Sequence, residues 1–152
     1  MGSDRPIFSS ISEIASHAEG YTIEALASYA RTISEGIIKP IPEIVERHSI
    51  KAIESSWRER QTFISSWMKV DITRLSWWKS WLGYVEARNA WAHGLGKLTK
   101  RQMKSQEVVA NLTAAGFIMQ SGKVLVRAED VRSAATTAVN LVDWIDEQVQ
   151  QP

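Results

Sequence analysis

Five of the seven tryptophans in this chain (Trp67, Trp77, Trp78, Trp81 and Trp91) fall within one stretch of 25 residues. Rings of that size bury large areas and dominate packing wherever they sit, so the stretch must be covered. A tryptophan cluster can instead serve as a base-stacking platform for single-stranded nucleic acid. The spacing of these residues is helical, which favours the core.

At 152 residues the chain is long enough to bury a core without covalent staples, and one domain over 1–152 is expected. It has no cysteine, which excludes disulfides, thiol catalysis, Fe–S clusters and cysteine-based zinc sites. The formal net charge of +1 argues for no particular partner, so any nucleic-acid footprint has to be local. Charged residues interrupt every apolar run before it reaches the length of a membrane span. The opening Met-Gly-Ser-Asp-Arg-Pro has no signal-peptide apolar region and reads like a tag remnant. The expectation is a cytoplasmic domain excised from a longer protein.

The apolar periodicity predicts an all-α bundle of five to six helices with one small β-hairpin near 117–126. A first helix carries Ile7, Ile11, Ile14 and Ala18 and is expected to stop at Gly20. A second runs from about Thr22 to Ser34. Lys39-Pro40-Ile41-Pro42 breaks the chain, and residues 43–70 read as a third helix with a largely solvated face that includes Arg58, Glu59 and Arg60. Asp71 or Thr73 is expected to cap the tryptophan helix, which ends at Gly94. Thr99 and Gln102 have capping-box spacing and open a helix to about Ala115. The hairpin follows, turning at Ser121-Gly122. A last helix over about 129–148 starts with acids in its first turn.

At about 100° per residue, the segment Trp77–Gly94 places Trp77, Trp78, Trp81, Leu82, Tyr84, Val85, Trp91 and Ala92 on one arc of roughly 200°. Lys79, Ser80, Gly83, Glu86, Ala87 and Ala90 fall opposite. Arg88 and Asn89 lie inside the apolar arc, where a guanidinium is costly unless paired or facing a wet site. An internal Arg–carboxylate pair with a bonded Asn is the plain structural explanation. His93 shifts the balance, because it lies one turn after Asn89 on the same side, at a helix end that Gly94 can open. Arg88 and His93 are about 140° apart on a continuous helix. The long Arg side chain, or unwinding at Gly94, brings them to one point.

A cation, an amide and an imidazole at one point suit metal-free phosphodiester cleavage. Histidine titrates near neutrality and can take a proton from a 2′-hydroxyl or give one to a leaving oxygen. Arginine clamps the anionic transition state. Asparagine can fix the imidazole tautomer or hold a phosphate oxygen. One histidine cannot easily be both base and acid, so a two-fold dimer is expected to bring two motifs face to face. The strip Gly83, Ala87, Ala90 is expected to let a second helix approach closely there.

The run Glu86-Ala87-Arg88-Asn89-Ala90-Trp91-Ala92-His93-Gly94 resembles the Arg-Asn-x3-His signature of HEPN domains, helical domains of toxin–antitoxin, antiviral-defence and CRISPR effector systems. The resemblance covers the motif and the all-helical layout; residues 1–70 are not placed against it. It implies a dimeric, metal-independent endoribonuclease without cofactor, with Arg88 and His93 as the catalytic pair and Asn89 in support. The continuation through Lys97-Leu98-Thr99-Lys100-Arg101-Gln102 is similar to the branch linked to RNA processing and defence. The hairpin departs from the minimal bundle and is assigned no function.

Lys97, Lys100, Arg101 and Lys104 follow the motif with no acid before Gln106. They are either a solvated face or contacts to an RNA backbone. Gly94–Thr99 lacks the glycine spacing and Lys-Ser/Thr pair of a phosphate loop. His17, His48 and His93 have no metal-ligand spacing, and the first two are expected at the surface. Asn111-Leu112-Thr113 fits a glycosylation pattern but falls mid-helix. Two functions therefore stand. One is an RNA endonuclease leaving a 2′,3′-cyclic phosphate, with RNA, a second copy, and a cognate antitoxin or further domains as partners, and no membrane. The other is a non-catalytic dimerisation or RNA-binding module of a larger defence or regulatory protein.

Overall fold

A computed structural model describes residues 4–151; of the opening 1–6 read as a tag remnant, residues 1–3 lie outside them and 4–6 begin the first helix. The architecture is all-α with one hairpin, and the described residues contain seven α-helices. These are α1 (Asp4–Ser34), α2 (Ile41–Ser55), α3 (Trp57–Phe63), α4 (Trp78–Gly94), α5 (Lys100–Lys104), α6 (Gln106–Ala114) and α7 (Ala128–Gln150). Strands β1 (Ile118–Gln120) and β2 (Lys123–Leu125) precede α7. No helix among the described residues is long and apolar enough to cross a membrane.

Several boundaries differ from the sequence expectation. Gly20 does not end a helix. α1 runs through it for 31 residues, because the buried positions Ile11, Ala15, Ala18, Thr22, Leu26 and Ala30 keep one helical phase across it. A glycine costs only about 1 kcal/mol in a helix interior, less than a continuous buried stripe returns. The expected helix over 43–70 breaks at Ser56, which is extended and accepts the Glu59 N–H at 3.2 Å as the cap of α3. A π-helical turn follows (Ile64–Met68), ending at left-handed Lys69. Asp71 accepts from Thr73 N–H and Oγ1 at 3.0 and 2.6 Å, but the turn it organises is the short 3-10 helix Ile72–Arg74 rather than α4. α4 starts at Trp78 with no side-chain cap. The Thr99–Gln102 capping box is present, but Ser105 ends α5 and caps α6.

The described residues form two compact units. The first takes residues up to Ala18 with Leu75–Leu141, the second Glu19–Arg74 with residues from Val142 onward.

In the first unit α4 packs on α6 along Gly83, Ala87 and Ala90, all buried. A Cβ on Gly83 would lie 2.2 Å from the Asn111 carbonyl oxygen and 2.6 Å from the Ala115 Cβ. The small-residue strip expected to receive a second copy is therefore filled by the chain's own α6. Ser80 Oγ donates to the Ala114 carbonyl at 2.9 Å and Tyr84 OH to that of Ala115 at 3.3 Å. Desolvation, with the Asp130 charge adding to it, holds the Tyr84 phenol above its ordinary pKa. Asn111 is buried. The hairpin turns at Ser121 and Gly122, both at positive φ, as a tight two-residue connection requires. Its register pairs Met119 with Val124, and Val124 is fully buried in the core that also holds Trp91, Leu98 and Leu112.

In the second unit Arg60 is 2 % exposed, against the expectation of a solvated face. Its Nη1 meets Glu19 Oε1 at 2.6 Å, its Nε donates to the Ile53 carbonyl at 2.6 Å, and its guanidinium lies 4.7 Å from the Trp57 ring centre. Tyr21 OH donates to Asp146.

Candidate functional site

Arg88, Asn89 and His93 occupy the last two turns of α4. The helix stays continuous through Gly94, so no unwinding swings His93 round towards Arg88. The chain leaves at Leu95, which takes the left-handed conformation (φ 51°) that glycine was expected to supply. Gly96 follows at φ 90°. A Cβ there would meet the Trp91 indole at 2.7 Å, so only glycine lets the chain turn back under this ring.

Burial on α4 follows the helical wheel only in part. Trp78, Trp81, Tyr84, Val85 and Trp91 are buried as the apolar arc predicts, so the tryptophans of α4 are core. Of the opposite strip, Gly83, Ala87 and Ala90 are buried, Ser80 and Glu86 are half-buried and Lys79 is exposed. Towards its C-terminus the helix opens to solvent: Arg88 and Asn89 are half-buried, while Ala92 and His93 are exposed. Ala92 was expected inside the arc. It lies about 40° round the helix from Arg88 and about 100° from His93, between the two. Asn89 stands one turn before His93 on the same side.

Trp91 anchors this end of the helix. Phe8 of α1 stacks on it at 4.6 Å with 15° between planes, and Lys123 Nζ lies 5.4 Å from its ring centre on β2. The segment after α4 then pairs with β2. Leu98 N–H donates to the Gly122 carbonyl and Val124 N–H to that of Gly96, both at 2.8 Å, and Lys97 faces Lys123 in an antiparallel bridge.

Lys97, Lys100, Arg101 and Lys104 are all exposed. The last three ride on α5, which Gln102 ties to α4 by donating from Nε2 to Glu86 Oε2 at 3.2 Å. Glu86 is the only acid on α4, and it is engaged by a neutral partner. Among the described residues, none of these four cations nor Lys123 pairs with a carboxylate. Lys123 is the member of this basic surface that sequence reasoning missed. Its contribution depends on a strand bridge to Lys97 that no local pattern announces.

His17 and His48 are exposed, as expected. Among the described residues no three of His, Asp and Glu come together as ligands for a metal ion. No protein-family model, no curated protein and no solved structure matches this chain.

Proposed function

We propose that this chain is a HEPN-like, metal-independent endoribonuclease of a cytoplasmic toxin or antiviral-defence system, acting on RNA through Arg88, Asn89 and His93. The observation that carries this reading is the C-terminal end of α4, which opens to solvent at Ala92 and His93. There exposed His93, half-buried Arg88 and Asn89, and a small exposed Ala92 between them sit beside cations without carboxylate partners.

His93 takes the proton from the 2′-hydroxyl, and the 2′-oxygen attacks phosphorus. Arg88 offsets the charge that builds on the phosphoryl oxygens. Asn89 orients the imidazole or holds a phosphate oxygen. The bond to the 5′-oxygen breaks, leaving a 2′,3′-cyclic phosphate, and the 5′-oxygen takes a proton. A second imidazolium must give that proton. Proton balance therefore calls for a two-fold dimer, while α6 already covers the Gly83 strip. Lys97, Lys100, Arg101 and Lys104 hold the flanking backbone. A cognate antitoxin or further domains would restrain the activity.

The test is cleavage of RNA in EDTA by wild type against His93→Ala, with a substrate carrying 2′-deoxyribose at the scissile nucleotide. Cutting by wild type alone, with the deoxy substrate resistant, supports the mechanism. A magnesium requirement, or equal cutting of DNA, overturns it. The half-burial of Arg88 and Asn89 favours a second reading, a non-catalytic dimerisation or RNA-binding module, in which RNA is bound but stays intact.

A further inference from the structure

The bridge between Lys97 and Lys123 belongs to no part of the catalytic motif and has an unusual composition. Its two hydrogen bonds, Leu98 to Gly122 and Val124 to Gly96, flank the pair rather than join it. That is the non-hydrogen-bonded site of an antiparallel ladder, where facing side chains leave the same side with Cβ atoms about 4.5–5.5 Å apart. Like charges directly opposite each other there are destabilising. Neither lysine has a carboxylate partner among the described residues.

An open hollow lies over the pair, lined by Gly94, Lys97, Gln120, Ser121 and Lys123 among others. A Cβ on Gly94 would stand 3.5 Å from the Lys97 Cβ, so the hollow begins one residue after His93. Ser121 and Gln120 add a hydroxyl and an amide at its rim, and both residues are exposed. Two unneutralised ammonium groups on one side, with polar donors beside them and no acid, complement an anion. The Trp91 ring supplies Lys123 with a resting contact.

We infer that the hairpin is a substrate-holding element. Lys97 and Lys123, with the Ser121 turn, bind a backbone phosphate of single-stranded RNA next to the scissile one. This rests on the nuclease reading of α4 for what the RNA is doing there, but the binding can be tested without cleavage.

The probe is a mixed-sequence 2′-O-methyl oligoribonucleotide, which cannot be cut by 2′-oxygen attack, titrated by fluorescence anisotropy across a salt series. Lys123→Gln and Lys97→Gln should each flatten the slope of log K against log salt, and the pair together by roughly 0.7, the loss of one phosphate contact on a single strand. Lys123→Arg, which keeps the charge and the ring contact, should bind like wild type. Lys97→Gln should also melt higher than wild type without RNA, since it removes the repulsion, and lose that advantage when RNA is added. If the Lys123→Gln slope equals the wild-type slope while Lys100→Gln lowers it, the hairpin is off the RNA path and the inference falls alone. Wild type that binds the probe and cuts no natural RNA overturns the nuclease reading, while the lysine slopes still decide this one. Wild type that binds no RNA overturns both.

Discussion

Gly83 on α4 faces Asn111 on α6 so closely that one added methyl group would sit 2.2 Å from a backbone oxygen. No side-chain rotation relieves that contact, because the obstacle is main chain. Gly83→Ala should therefore force the helices apart and cost about 3 kcal/mol or more, as severe overpacking does. Gly20 is the opposite case: it lies within α1 with nothing near its missing Cβ. Gly20→Ala should stabilise by about 1 kcal/mol. Thermal melts of the two variants should move in opposite directions, and a stabilised Gly83→Ala would refute the packing described.

The Arg60–Glu19 pair makes a second prediction. Arg60→Ala leaves a carboxylate in partly buried surroundings and removes the contact with Trp57, at a cost of about 3–5 kcal/mol. The double change Arg60→Met with Glu19→Leu should recover most of that loss, since a buried pair replaced by apolar groups is often neutral. Denaturant midpoints for the single and double variants check it.

What was legible from sequence differs by the reach of each interaction. The Thr99–Gln102 box closes within one turn, and its spacing is visible to the eye. Ser56 and Ser105 cap α3 and α6 by the same local bond, and Ser56-x-x-Glu59 even has the capping-box spacing. Long apolar periodicity across both serines masked these breaks. Arg60 read as solvated because its partner is 41 positions away. The Gly83 strip was recognised as a helix-packing surface, but small residues do not say which helix covers them. Arg88, Asn89 and His93 were named from helical spacing, residue chemistry and the motif resemblance together. Their unequal exposure at that end of α4 depends on tertiary packing that spacing does not show.

A third prediction concerns assembly. If each cut needs one imidazole as base and a second as acid, mixed dimers of wild type and His93→Ala should retain well under half the wild-type activity. Their mass in solution should be twice that of the chain. A fully active monomer, or mixed dimers at half activity, would mean that each site works alone.

A fourth concerns α5. Lys100, Arg101 and Lys104 are exposed and have no carboxylate partner among the described residues. Replacing all three with Glu should leave the melting curve nearly unchanged. RNA affinity should drop and its salt dependence flatten by up to about two units of slope. Affinity unchanged at low salt would place the RNA elsewhere.

The return of the chain beneath Trp91 has a consequence for motion. Leu95, Leu98 and Val124 all donate their amide hydrogens within this knot. A helix end usually frays, opening locally at almost no free-energy cost. Here the last turn of α4 cannot loosen unless the strand bridge and the Phe8–Trp91 stack part with it. The three amides should therefore exchange with deuterium on the slow timescale of the helix interior, although Leu95 is 62 % exposed. His93 then stands on a pedestal stiff enough to hold its position.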